Sequence, residues 1–147
     1  MLKRPVVLLL NTDEETGSVA SRPLIESLAK QSEAVFVPEP PEGKTGALKT
    51  ARKGWGTYQG KCYGRAAHAG NRHEDGRNAI DELARQIVFL HGQTNYALGT
   101  TVNVGVIRGG TRFNVVPDYA EMEIDLRVAS REEEQRMDDL IRNLQPT

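Results

Sequence analysis

Val6-Val7-Leu8-Leu9-Leu10 is an unbroken apolar run with no alternation of polar positions. Such a run predicts a strand covered on both faces of a parallel sheet. A helix should follow it. Ser21 stands as its N-cap, Pro23 is tolerated in the first turn, and Leu24, Ile25, Leu28 and Ala29 form one apolar stripe up to Lys30. Ala34 to Val37 then reads as a second short strand that closes a βαβ unit. The stretch Pro38-Glu39-Pro40-Pro41-Glu42-Gly43 is a stiff loop, because its prolines lack amide donors and bias their predecessors to extended backbone. Another strand is expected near Thr45 to Arg52, with a domain boundary at Lys53-Gly54.

The rhythm changes from Trp55 onward. Trp55 to Tyr63 reads as a strand weakened by Gly56 and Gly60, and Gly64 to Arg77 as a loop rich in glycine, histidine and charge. Asn78 to His91 has helical spacing, with Ile80, Leu83, Ala84, Ile87 and Leu90 on one face. Val102, Val104 and Val106 alternate with Thr101, Asn103 and Gly105, as in a half-buried strand. Tyr119 to Val128 alternates more cleanly, with Ala120, Met122, Ile124, Leu126 and Val128 on one face and Glu121, Glu123, Asp125 and Arg127 on the other. Ser130 and Glu133 make a capping box for a last helix carrying Met137, Leu140, Ile141 and Leu144. The order β-α-β-β-α is that of a split βαβ, ferredoxin-like sheet short of its final strand, so truncation is expected there. The fold class is therefore α/β: a partial parallel-sheet segment over 1–53, then an α+β ferredoxin-like domain over 54–147.

Composition narrows the classes. The chain has 147 residues, 38% hydrophobic and 27% charged, with a net charge of −1. Nucleic acid and anionic membrane would demand a basic excess that is missing, so neither is expected as a partner. The longest apolar run is far short of the roughly 20 residues of a spanning helix, and it leads straight into Asn11-Thr12-Asp13-Glu14-Glu15 without a signal-peptide cleavage pattern. A cytoplasmic location is expected. One cysteine, Cys62, excludes an internal disulfide and any multi-cysteine zinc site. No glycine-rich phosphate loop follows the first run, which argues against a nucleotide binder.

Candidate chemistry begins with carboxylates. Asp13, Glu14 and Glu15 would lie past the end of the first strand and Glu39 past the second. Parallel strands joined by a right-handed crossover end on one sheet edge, so both loops would open towards one crevice. Carboxylates that close together resist joint ionisation unless a cation offsets them, and a metal would do so. One carboxylate could hold the metal while its neighbour takes a proton from water. The residues alone leave open a plainer reading, a solvated acidic loop ahead of a helix.

At this point the sequence resembles the dinuclear zinc exopeptidases and deacylases that include glutamate carboxypeptidase, aminoacylase and acetylornithine deacetylase. Asn11-Thr12-Asp13-Glu14-Glu15-Thr16-Gly17-Ser18 is similar to the family's catalytic loop. The resemblance implies Glu14 as general base, Glu15 as a zinc ligand, and Glu39, in Pro38-Glu39-Pro40, as a second metal-binding carboxylate. Gly64-Arg65-Ala66-Ala67-His68-Ala69-Gly70 resembles the lid segment whose histidine reaches the partner subunit's site, so His68 would stabilise an oxyanion. Asn114-Val115-Val116-Pro117 resembles the turn whose asparagine contacts substrate. Arg127, in Asp125-Leu126-Arg127, resembles the position that holds the substrate's carboxylate. His73 departs from the pattern, which often has proline there.

The implied protein binds two Zn2+ per complete site and cleaves an amide beside a free carboxylate, in a small peptide or an N-acyl amino acid. It is implied to be a homodimer through the lid, with a partial catalytic domain over 1–53 and a dimerisation domain over 54–147. The family's other metal ligands would fall outside this chain, so the 147-residue chain alone is expected to be inactive. A non-catalytic dimerisation or binding module is the alternative.

Overall fold

The computed structural model describes residues 4–147, which fall into two compact units divided after Leu48. In the first, Glu14–Thr16 form a single 3-10 turn and Arg22–Lys30 form helix α1. Pro23 sits in the first turn as its fixed φ allows. Ser21 is the N-cap residue as expected, but its side chain makes no capping bond, and the Asp13 carboxylate accepts from the amides of Ala20 (2.9 Å) and Ser21 (3.1 Å).

The two strands expected in this unit do not form among the described residues. Val6 to Leu10 and Ala34 to Val37 are irregular and unpaired among the described residues, and Leu8, Leu10 and Phe36 are each at least 80% exposed. A strand exists only as part of a ladder, and no neighbouring strand in this unit accepts their backbone groups. The stretch expected as a strand near Thr45 to Arg52 instead holds a turn at Gly43 to Gly46, closed by a Glu42–Ala47 bridge, and then irregular backbone.

The second unit follows the expected order. It comprises β1 (Gly54–Tyr63), α2 (Ala79–His91), β2 (Thr101–Gly109), β3 (Tyr119–Val128) and α3 (Arg131–Arg142). The sheet is antiparallel with β3 in the middle, in the order β1-β3-β2. The clean alternation in β3 works as the pattern demands: Ala120, Met122, Ile124, Leu126 and Val128 are all buried, against Ala79, Leu83 and Leu90 of α2 and Met137 and Ile141 of α3. Each of these larger than alanine, fully buried, contributes about 1.5–3 kcal/mol, and the sheet's other face is left open.

Three details depart from simple periodicity. A bulge at Gly105 shifts the β2–β3 register, so Val104 faces Ile124 in the core whereas Val106 pairs with Glu123 on the open face. In α2 the buried position is Gln86 rather than Ala84, its amide donating to Glu82 (2.7 Å) and to the Gln145 carbonyl (2.8 Å). At α3, Ser130 accepts from the Glu133 amide at 3.3 Å, but the Glu133 carboxylate turns to Thr100 and Arg136 instead of closing the box. Cys62 lies half-buried on β1, and burial first of all raises its thiol pKa.

Candidate functional site

The candidate residues divide between the two units. Glu14 and Glu15 are exposed on the 3-10 turn, in a loop shaped by a polar knot beneath them. The Asn11 carboxamide donates to Asp13 (3.3 Å), Ser18 (3.4 Å) and Ser21 (3.2 Å), and Gly17 turns the chain with φ +92°. Bonds from Ser21, and then from Asn11 and Ala20, lower the Asp13 pKa to about 2. Asp13 is therefore already occupied as a structural anion, and its spacing to Ala20 and Ser21 is too long to read as a local cap in the sequence.

Glu39 is exposed in the proline loop, where its amide donates to the Val37 carbonyl at 2.8 Å. Among the described residues no group of three His, Cys, Asp or Glu side chains is placed to hold a metal ion. The expected convergence of carboxylates depended on two parallel strands aiming their loops at one edge, and those strands do not pair here. The residues present do not by themselves make a metal centre.

The second unit does bring two of its candidates together. The loop from Gly64 to Asn78 is laid antiparallel along Asn114 to Asp118. Gly64 donates to Asp118 (2.8 Å), Val116 to Ala67 (2.9 Å), Ala69 to Asn114 (3.0 Å) and Ala79 to Pro117 (2.9 Å), with a bridge between His68 and Val115. His68 and Asn114 thus stand on adjacent rungs of one short ladder, both exposed. Glycine allows this contact: a Cβ at Gly64 would lie 2.0 Å from the Arg77 carbonyl oxygen, and one at Gly76 within 2.8 Å of Val116. The His68 imidazole is itself tied down, its Nδ1 accepting from the amides of Gly70 (3.0 Å) and Asn71 (3.2 Å).

Beside this ladder is an open cleft of about 530 Å³, lined among others by Ala69, His73, Arg112, Phe113 and Val115 but by neither His68 nor Asn114. Phe113 is fully exposed at 102%, a large apolar surface next to Asn114. Nothing in the sequence pattern distinguished Arg112 and Phe113; a Phe in a turn after two glycines was the available signal. His73 opens one 3-10 turn, His73–Asp75.

Arg127 stands elsewhere. It lies at the far end of β3 from Tyr119, roughly 25 Å along the strand at ~3.3 Å per residue. Its guanidinium grips Asp125 with two bonds of 2.8 Å and covers the Trp55 ring at 5.7 Å. The Asp125 bonds raise the Arg127 pKa further. Tyr119, at the other end, donates to Glu121 at 2.6 Å, and that bond first of all pushes its phenol up to about 12.

Known proteins resemble this chain in sequence and in fold. The chain is 31% identical over 128 residues to carboxypeptidase G2 of Pseudomonas sp. (strain RS-16), covering 87% of this chain and 31% of that protein. It is 45% identical over 65 residues to the indole-3-acetyl-aspartic acid hydrolase of Enterobacter agglomerans, covering 44% of this chain and 15% of that protein. The crystal structure of the aminobenzoyl-glutamate utilization protein from Klebsiella pneumoniae superposes with a TM-score of 0.56 at 35% identity, over 60% of this chain and 23% of that one. The chain thus spans less than a third of the length of these relatives. Residues 50–145 match the model described as the peptidase dimerisation domain, and the chain belongs to that family, M20_dimer.

Proposed function

We propose that this chain is the lid-bearing portion of a zinc-dependent amidohydrolase that cleaves an amide next to a free carboxylate. The relatives' names carry the substrate class: a carboxypeptidase, a hydrolase of indole-3-acetyl-aspartic acid and a protein of aminobenzoyl-glutamate utilization. The observation that best supports a catalytic role for the lid is the ladder that brings the backbones of His68 and Asn114 to successive rungs, His68 opposite Val115 and Asn114 opposite Ala69.

In this reading the chain is a homodimer through the lid, and each His68 serves the partner subunit's site. Its imidazole donates to the oxyanion that develops as the amide carbonyl is attacked, and Asn114 of the same lid orients that substrate. Arg127, at the opposite end of β3, would hold the carboxylate of the substrate in the dimer's other site. Glu14 takes the proton from the attacking water and returns it to the leaving nitrogen. Glu15 and Glu39 are assigned to zinc, whose chemistry is to polarise the carbonyl and acidify water. They need further ligands than the described residues supply, and this favours the alternative that the 147-residue chain alone is a dimerisation module without turnover. We place the partial catalytic domain over 1–53, the dimerisation domain over 54–147, and the protein in the cytoplasm.

The test is complementation in the protein that carries this chain. Glu14→Ala and His68→Ala should each be nearly inactive on aminobenzoyl-glutamate, His68→Ala by roughly 10²–10³-fold. Mixed and reassociated, they should recover about a quarter of the native rate, since half the dimers then hold one intact shared site. No recovery on mixing, with dimers present by sedimentation, would remove the shared site and leave the dimerisation module as the better account.

A further inference from the structure

We propose that the neutral ring of His68 is locked as a single tautomer, its Nδ1 lone pair held by the backbone amides of Gly70 and Asn71 and its proton carried on Nε2. The two N–H groups approach Nδ1 at 3.0 and 3.2 Å, and backbone amides are donors in every state of the protein. A ring nitrogen that accepts carries no proton, so the proton of the neutral ring is on Nε2.

The lock is built into the backbone on both sides of the ring. Ala67 accepts from Val116, Ala69 donates to Asn114, and Arg72 donates back to the His68 carbonyl at 3.1 Å, closing the turn that aims the two amides. Gly70 and Asn71 are thereby positioning residues acting through His68. Their side chains are not what matters: a Cβ added at Gly70 would rest 3.5 Å from His68 Cε1, an ordinary contact, so alanine fits there and keeps its amide.

A contrasting arrangement occurs in the same molecule. His91 Nε2 accepts from the Val104 amide at 3.0 Å, which places the His91 proton on Nδ1. The chain's three histidines thus comprise one ring fixed each way and an exposed His73 with freedom to exchange. Resting on the functional reading above, the lock means that His68 meets its partner's substrate as a fixed Nε2–H donor. It neither waits on tautomer exchange nor offers Nε2 as a base or a metal ligand. The tautomer itself stands independently of that reading.

The experiment is a long-range ¹H–¹⁵N correlation spectrum of the uniformly ¹⁵N-labelled 147-residue chain, at a pH where the imidazoles are neutral. His68 should show an unprotonated Nδ1 and a protonated Nε2, His91 the reverse, and His73 nitrogen shifts averaged between tautomers. Gly70→Ala should leave the His68 pattern unchanged, whereas Asn71→Pro, which deletes one donor, should move it towards the averaged pattern of His73. Averaged His68 shifts in the native chain, or a proton on Nδ1, would overturn the proposal. Should Asn71→Pro fail to fold, the native spectrum decides alone. A locked tautomer with failed complementation would sink the catalytic reading only, and the converse result would sink this one only.

Discussion

Gly64→Ala puts the attachment of the His68 loop to the test. The added Cβ would sit 2.0 Å from the Arg77 carbonyl oxygen, 3.0 Å from its carbon and 3.1 Å from the Ala79 nitrogen. All three are backbone atoms, which cannot swing aside as a side chain can. To restore ordinary contact the two segments must part by about 1 Å or more. Four backbone bonds hold them at this point: Gly64 to Asp118 (2.8 Å), Arg65 to Arg77 and Arg77 to Arg65 (2.9 Å each), and Ala79 to Pro117 (2.9 Å).

Each bond contributes roughly 0.5–1.5 kcal/mol net, so loss of two of them gives a destabilisation of about 2 kcal/mol. For a unit of this size that lowers Tm by about 10 °C. Urea unfolding followed by the single tryptophan reads the change, since Trp55 lies on β1 beneath Arg127. Amide shifts from Arg65 to Arg77 should move with it. Gly54→Ala is the control, because its Cβ meets only Val128 at 3.5 Å and should cost less than about 0.5 kcal/mol. If Gly64→Ala unfolds within ~0.5 kcal/mol of the native chain with the loop amides unmoved, the ladder is not what holds His68 beside Asn114.

Other perturbations probe separate parts. Asn78→Ala removes the carbonyl oxygen that caps α2 by accepting from Ile80 (2.9 Å) and Asp81 (3.1 Å), and urea unfolding should show a loss of about 1 kcal/mol. Leu126→Ala, at a position 2% exposed in the middle strand, should cost about 2–5 kcal/mol in the same assay. Arg136, and then Thr100, hold the Glu133 carboxyl down at about 2 against an ordinary 4.5. A depressed folded value means that this stabilisation is complete above the unfolded value and is lost as pH falls through the folded one. The urea midpoint should therefore drop as pH falls from about 5 towards 2, and less steeply in Glu133→Gln. Amide hydrogen exchange should be fast over Val6 to Leu10, which join no ladder, and slowest in β3.

The two units were legible to different degrees for one physical reason. In β3 the alternation is local and its partners lie within the same unit: β1 and β2 pair on either side, and the helices cover the face that Met122, Ile124 and Leu126 turn inward. The pattern, its partners and its cover are all present, so the expected strand forms. Val6 to Leu10 carries as strong an apolar signal, yet periodicity reports only what a strand would bury and cannot supply what it pairs with. With no ladder among the described residues of its unit, that signal is left on exposed residues. The Gly105 bulge was invisible for a related reason, because a register shift is set by two strands and is written in neither alone.

The candidate site follows the same logic. His68 and Asn114 could be singled out from motif and order, but their adjacency comes from backbone bonds between segments far apart in sequence, which no residue type announces. The hold on the His68 ring comes likewise from amides that every residue but proline possesses. What the sequence does record is permission: glycine at 64 and 76, where a Cβ would collide with the opposing segment. In the first unit the chemistry-bearing side chains, Glu14 and Glu15, are equally readable, but their aim depends on a sheet that this unit does not form. The placement of the His68 loop is thus fixed by the core of its own unit, whereas the aim of the acidic loop is conditional on partners for Val6 to Leu10. Zinc affinity should follow that difference: it should be weak in the isolated chain even though the His68 loop is fully ordered. Tight zinc binding by the 147-residue chain, read by competition with a chromogenic chelator, would show that the acidic loop is positioned without the sheet.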